Sequence, residues 1–179
     1  MLKLIPAVDM NYKSVLEYYN SFEYNSDINN YAITLARKSE KRYFDWITEY
    51  EEGMYYLVDS SNENYIIGYG SIEDDEILDY HKEYLNTGNI GYGIRPNERK
   101  KGYGTRLLDL ILLKCEENGM PEVCISCIKG NIPSQKIILK HNGIFEKELY
   151  GDFEGTGLKY WIKLNPNKLK FISLIKLGT

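Results

Sequence analysis

The chain has 179 residues, 43% hydrophobic and 27% charged, which is enough apolar material for a sizeable core under an ordinary polar surface. A net charge of -4 supplies no basic field for nucleic acid. No apolar run is long enough to span a bilayer, and Met1 to Pro6 is too short for a signal-peptide core, so a cytoplasmic protein with no membrane partner is expected.

Leu2 to Ala7 reads as a short strand. Asn11 to Phe22 places Val15, Leu16, Tyr19 and Phe22 at helical spacing, and Ile28 to Lys38 reads as a looser stretch. A second helix runs from Ser39 to about Tyr50, where Gly53 ends it. Met54 to Asp59 and Tyr65 to Glu73 are β-rich runs around a Ser60 to Asn64 hairpin loop. An acidic loop from Asp74 to Gly88 follows. Asn89 to Pro96 then alternates, with Ile90, Tyr92 and Ile94 on one face and Gly91 and Gly93 on the other.

Gly104 to Asn118 carries a helical stripe of Leu107, Leu108, Ile111 and Cys115, stopped by Asn118-Gly119. A strand over Glu122 to Ile128 and a helix over Pro133 to His141 come next. Strands over Phe145 to Tyr150 and Leu158 to Leu164 are joined by a glycine-rich turn. The order β-α-α-β-β-β-α-β-α-β-β has helices between strands and a hairpin meander in the middle, which requires an α/β, mixed (α+β) sheet. Without repeats or linkers, residues 1–164 read as one domain and 165–179 as a C-terminal extension. That extension holds Lys168, Lys170 and Lys176 among apolar residues. It could pack on the sheet, pair with another subunit to form a homodimer, or lie on a partner.

Three cysteines, Cys115, Cys124 and Cys127, do not make a disulfide framework. Cys124 and Cys127 are three apart on a strand, so they point to opposite faces and cannot share a metal. No metal is expected. Seventeen tyrosines could suggest a stacking surface. They accompany only three alanines and five arginines, the signature of AT-rich coding, and Tyr19, Tyr43, Tyr50 and Tyr65 fall at periodic positions that packing explains.

The chemistry concentrates where the Ile94-Arg95-Pro96 strand end meets Asn97-Glu98-Arg99-Lys100-Lys101-Gly102-Tyr103-Gly104 and a long helix. Such a junction aims unpaired N–H groups and the positive helix end at one point, a ready anion site. Gly102 and Gly104 let the backbone approach phosphate oxygens, and Lys100, Lys101 and Arg106 add charge. The alternative is a plain turn with a solvated basic face. The glycine spacing fits neither a Rossmann turn, since Leu107 stands where a third Gly belongs, nor a P-loop.

The run Arg99 to Gly104 resembles the [RQ]-x-x-G-x-[GA] acyl-CoA pyrophosphate motif of the GNAT superfamily of N-acetyltransferases. Asn131 and Ser134 resemble the N-x-x-[SA] opening of that family's second cofactor-contacting helix, and the element order matches from Leu2 to about Leu164. The resemblance implies a GNAT acyl-CoA N-acyltransferase fold and acetyl-CoA as cosubstrate. Backbone groups of Tyr92, Gly93 and Ile94 would hold the pantetheine arm, with room left beside Gly91 and Gly93. N–H groups of Arg99, Lys100, Lys101, Gly102, Tyr103, Gly104 and Thr105 would hold the pyrophosphate. Asn131 and Ser134 would border the cofactor, Asn131 doubling as a helix N-cap.

The implied reaction is direct attack of an amine on the thioester, with an oxyanion donor near Ile94 and no Ser/Cys nucleophile. The family's usual thiolate acid, a tyrosine seven residues after the asparagine, is Ile138 here. Tyr92, Tyr150, His141 or a water chain would replace it. Glu73 is the expected base, and the acidic stretch Asp74 to Glu83 with His81 would favour a cationic amine. Tyr92, Tyr103, Tyr80 and Tyr84 are the tyrosines that keep functional interest. The competing readings are a catalytically idle acyl-CoA-binding sensor or interaction module and, disfavoured by the glycines, a nucleotide-phosphate module.

Overall fold

Two periodicities dominate the chain, and the computed structural model, which describes residues 1–22, 30–50, 53–73, 88–150 and 155–165, resolves them into alternating helices and strands. They are β1 (Leu2–Pro6), α1 (Tyr12–Asn20), α2 (Asn30–Lys38), α3 (Glu40–Tyr50), β2 (Met54–Asp59), β3 (Asn62–Ile72) and β4 (Ile90–Ile94). Then come α4 (Tyr103–Glu117), β5 (Glu122–Ile128), α5 (Ile132–Lys140), β6 (Ile144–Leu149) and β7 (Gly157–Lys163). The strands pair in the order β1-β2-β3-β4-β5-β7-β6. Most pairs are antiparallel, but β4 meets β5 in parallel, with Ile90 opposite Ile125. The sheet is therefore mixed, as the element order requires. The stretch 166–179 lies outside the described residues.

Two local readings change. Residues 30–38 form a helix rather than a looser stretch, because its buried side is carried by Ala32, Ile33 and Ala36. Two of these three are alanines, small enough to leave the hydrophobic signal weak while keeping the best helix propensity. The hairpin loop is also shorter than expected. Asp59 Oδ1 accepts the Ser61 N–H at 2.9 Å and its hydroxyl at 2.7 Å, which closes the turn at once. Asn62 can then pair opposite Asp59 and extend β3 into polar sequence.

The chain divides into two compact units, Met1–Ser71 with Tyr92–Leu107, and Ile72–Gly91 with Leu108–Thr179. In the first, Tyr18, Tyr19, Phe22, Tyr43 and Tyr56 are at most 3% exposed. Their rings meet edge to face at centroid separations of 5.1–6.1 Å, the arrangement the ring quadrupoles favour. Four of the seventeen tyrosines thus build the core of this unit, whereas Tyr65 and Tyr150 are exposed. Tyr56 donates to the Tyr19 hydroxyl at 3.3 Å, so the hydrogen bond between Tyr43 and Tyr56 is donated by Tyr43. In the second unit, Leu108, Ile111 and Cys115 of α4 are buried, as are Val123, Ile125, Ile138, Tyr160 and Ile162. All three cysteines are buried and free. Burial pushes the Cys115 thiol up to about 12 and the Cys124 thiol to about 11, which makes both inert at neutral pH.

Among the described residues, the Tyr18 hydroxyl is buried without a hydrogen-bond partner. An orphaned buried hydroxyl costs about 1–3 kcal/mol. Tyr18→Phe should therefore leave stability unchanged or raise it in chemical denaturation. Tyr56→Phe removes the link between two other phenols and should lower stability by about 1–2 kcal/mol.

Candidate functional site

The site begins with which way the β4 backbone points. Glu73 N–H donates to Asn89 O at 2.8 Å and Arg95 N–H donates to Ile67 O at 2.9 Å, so β3 and β4 run antiparallel with Gly93 opposite Tyr69. In such a ladder alternate residues turn both backbone groups toward the partner strand. Residues 93 and 95 therefore face β3, and the N–H and C=O of Tyr92 and Ile94 point away from it. Of the three residues expected to hold an extended ligand arm, Tyr92 and Ile94 turn their backbone groups away from β3 and Gly93 does not. The room expected beside Gly93 is also taken: a Cβ there would lie 2.6 Å from the Tyr69 ring. Gly93 is small for the sake of Tyr69.

Downstream, the chain is turned by specific anchors. Pro96–Glu98 forms one turn of 3-10 helix, closed by Glu98 N–H to Arg95 O at 2.9 Å and Arg99 N–H to Pro96 O at 3.2 Å. That second bond takes the Arg99 N–H out of the expected set of anion donors. The Arg99 side chain folds back as well, its Nε donating to Ile94 O at 3.2 Å. Lys100 and Gly102 are both left-handed, with φ of 63° and 84°, and Gly102 has nothing within 4 Å of where a Cβ would stand. Alternating hand turns successive N–H groups toward a common side. The first bond inside α4 runs from Arg106 N–H to Gly102 O at 3.3 Å. The N–H groups of Tyr103, Gly104 and Thr105 are thus the leading donors of a 15-residue helix, at the positive end of its dipole. The arrangement can hold an anion.

What fixes this turn is Arg95, the last residue before Pro96. It is 8% exposed, yet among the described residues no carboxylate pairs with it. Its guanidinium donates to Ile66 O at 3.2 Å and to Glu17 O at 2.9 Å, and it stacks 4.3 Å from the Tyr65 ring centroid. Glu17 lies in the last turn of α1, where Ser21 N–H bonds Tyr18 O and leaves the Glu17 carbonyl to the arginine. Tyr65 in turn donates to Glu98 Oε1 at 3.0 Å, and Lys101 Nζ is 3.0 Å from Glu98 Oε2. Burial opposes ionisation of Glu98, but the hydrogen bonds from Lys101 and Tyr65 hold its carboxyl below the usual range. Lys101 is therefore already partnered. A charged residue between an apolar strand and a proline was the one available signal for Arg95.

In the second unit, Asn131 Oδ1 accepts the Ser134 N–H at 3.1 Å, so Asn131 is the N-cap of α5, while Ser134 is buried. Ile138 is fully buried and leaves that position with no titratable group. Two of the alternative acids, Tyr150 and His141, are engaged. Tyr150 donates to Glu148 Oε2 at 2.5 Å, and His141 places Nδ1 2.8 Å from Ile137 O and Nε2 3.0 Å from Asp109 Oδ1. Glu73 follows β3 directly and is held at both backbone groups by Asn89, whose Nδ2 donates to Glu73 O at 3.3 Å and whose Oδ1 accepts Cys124 N–H at 2.8 Å. The acidic stretch from residue 74, with Tyr80, His81 and Tyr84, lies outside the described residues.

The profile of the family described as "Acetyltransferase (GNAT) domain" matches residues 2–143. Solved structures share the fold at low identity. A spermidine N-acetyltransferase SpeG chimera from Vibrio cholerae has a TM-score of 0.65 at 14% identity, with 93% of this chain and 96% of that one covered. The ribosomal-protein-S5-alanine acetyltransferase of Vibrio fischeri gives 0.64 at 16%, covering 92% of each. A GNAT-family acetyltransferase from Bacillus anthracis gives 0.63 at 18%, covering 90% and 94%. A search of curated protein sequences returns no match.

Arg95→Met keeps the apolar stem but strips the Glu17 and Ile66 carbonyls of their donor. It should cost about 2–4 kcal/mol in urea unfolding. Arg95→Lys should recover only part of this, because an ammonium cannot reproduce the planar fork.

Proposed function

Because the chain belongs to the GNAT acetyltransferase family, we propose that it transfers an acetyl group from acetyl-CoA to a primary amine by direct attack on the thioester. The observation that carries this reading is the left-handed Lys100–Gly102 turn feeding the bare N–H groups of α4, which fits a diphosphate. Acetyl-CoA supplies the activated acetyl group: a carbon–nitrogen bond forms, the carbon–sulfur bond breaks and the thiolate departs.

In this reading the chain's own groups do the following. N–H groups of Lys100 to Thr105 bind the diphosphate, with Gly102 leaving the approach open. Outward backbone groups of Tyr92 and Ile94 hold the pantetheine arm like an added strand, and the Ile94 N–H faces the acetyl oxygen as it gains charge. Asn131 caps α5 with its Oδ1 and keeps its amide N–H donors for the cofactor, beside Ser134. Glu73, with its backbone clamped by Asn89, takes the proton of the attacking amine. Tyr92 protonates the thiolate in place of the tyrosine that Ile138 replaces. This gap is tolerable, since a thiolate leaves without strong acid assistance.

The acceptor class follows from charge. The acidic residues Asp74 to Glu83 favour a cationic amine, and fold relatives include proteins named for spermidine and for ribosomal-protein-S5-alanine. An idle acyl-CoA-binding module is the second reading, favoured by Ile138 at the acid position.

Acetyl-CoA should raise the melting temperature of the wild type. Gly102→Asp, which brings a Cβ, a strained φ and a carboxylate into the turn, should abolish that rise while lowering the ligand-free melting temperature by only about 2–4 °C. Thiol release across amines of different charge then sorts the readings. Turnover of spermidine or peptide amines supports the transferase. Turnover confined to neutral or acidic amines removes the cationic assignment, and tight binding without turnover of any amine favours the idle module.

A further inference from the structure

Lys101 stands inside the anion-binding turn, yet its ammonium is held by a carboxylate of the same loop. The two ends of that ion pair are not equivalent. Glu98 is 14% exposed and Lys101 54%. One Glu98 oxygen takes Lys101 at 3.0 Å and the other takes the Tyr65 hydroxyl at 3.0 Å. Tyr65 is stacked on Arg95, which is itself locked to the Ile66 and Glu17 carbonyls. The carboxylate is therefore the fixed partner, and the lysine, on a flexible stem, is the movable one. The position two residues before the left-handed Lys100 is thus a built-in negative charge at a site arranged for negative ligands.

We infer that Glu98 sets the affinity of the anion site, acting as an internal counter-anion that Lys101 leaves to reach a diphosphate at the start of α4. This rests on the acetyl-CoA reading above. Glu98 opposes the ligand in two ways, by occupying Lys101 and by repelling the phosphates through space. Both effects are electrostatic and both are screened by salt. An isolated surface pair of this kind does little for stability. Here its weakness is the useful property, because the lysine can change partners at low cost when a doubly charged group arrives. The device sets how much acetyl-CoA is needed for occupancy, and it does so without touching the reacting atoms.

Calorimetric titration of acetyl-CoA at about 20 mM and about 500 mM salt into wild type, Glu98→Gln and Lys101→Met tests it. Gln keeps an acceptor for Tyr65, so the loop anchor survives. Glu98→Gln should bind acetyl-CoA roughly threefold to tenfold tighter at low salt, and most of that gain should vanish at high salt. Lys101→Met should bind roughly threefold weaker at low salt. Unchanged or weaker binding by folded Glu98→Gln overturns the inference, as does a gain that persists in high salt, which would mark a change of loop shape. Should Glu98→Gln not fold, an unaltered affinity in Lys101→Met overturns it equally, since the lysine would then never reach the ligand. Folded wild type that binds no acetyl-CoA overturns the cosubstrate assignment itself and this inference with it.

Discussion

A buried guanidinium that, among the described residues, pairs with main-chain carbonyls rather than a carboxylate is the interaction on which the site depends. Removing a cation from water costs several kcal/mol unless its donors find acceptors. Arg95 finds them at the C-terminal end of α1, where the Glu17 carbonyl is left over by the helix, and at Ile66 of β3. The partial negative charge of a helix end is a natural partner for a cation, and the face of Tyr65 adds to it. α1, β3 and the end of β4 are thereby joined at one residue. The chain leaves that residue through Pro96 with its direction already determined.

The geometry downstream follows from that fixed start. With Arg95 facing β3, strand alternation turns Tyr92 and Ile94 outward and Gly93 inward, where Tyr69 covers it. With Arg95 holding Tyr65, the tyrosine hydroxyl holds Glu98, and Glu98 holds Lys101. The second unit contains a related device in Asn89. Its buried side chain bonds Glu73 O and Cys124 N–H, replacing ladder hydrogen bonds where β4 begins. In both cases a buried polar side chain is bonded to main-chain partners, which helps to make its burial tolerable.

Much of this was legible in the residues. The stripe Leu107, Leu108, Ile111, Cys115 and the alternation through Ile90, Tyr92 and Ile94 identified the elements on either side of the Lys100–Gly102 turn, because each pattern has one period. Gly102 was legible as a residue needing unusual backbone freedom, and Asn131 as a cap. The helix at 30–38 was not, since Ala32 and Ala36 pack without a strong hydrophobic signal. Nor was the role of Gly93. A glycine on a strand looks the same whether it makes room for a ligand or for a tyrosine ring from the neighbouring strand.

The sequence by itself determined all the described strands and all the described α-helices but the one at 30–38, the mixed sheet, the glycine-bearing turn before α4 and the family, because these rest on spacing along one strand or helix and on residue types that tolerate few conformations. The tertiary structure decided which backbone groups point outward from β4, that Arg99 and Lys101 are already engaged, and that Arg95 anchors the turn. The direction of β4 and the anchoring by Arg95 depend on strand register and on partners 29 to 78 residues away in the chain, and long-range pairing leaves no local pattern to read; the partners of Arg99 and Lys101 are near in sequence, but the folded turn sets which way those side chains point.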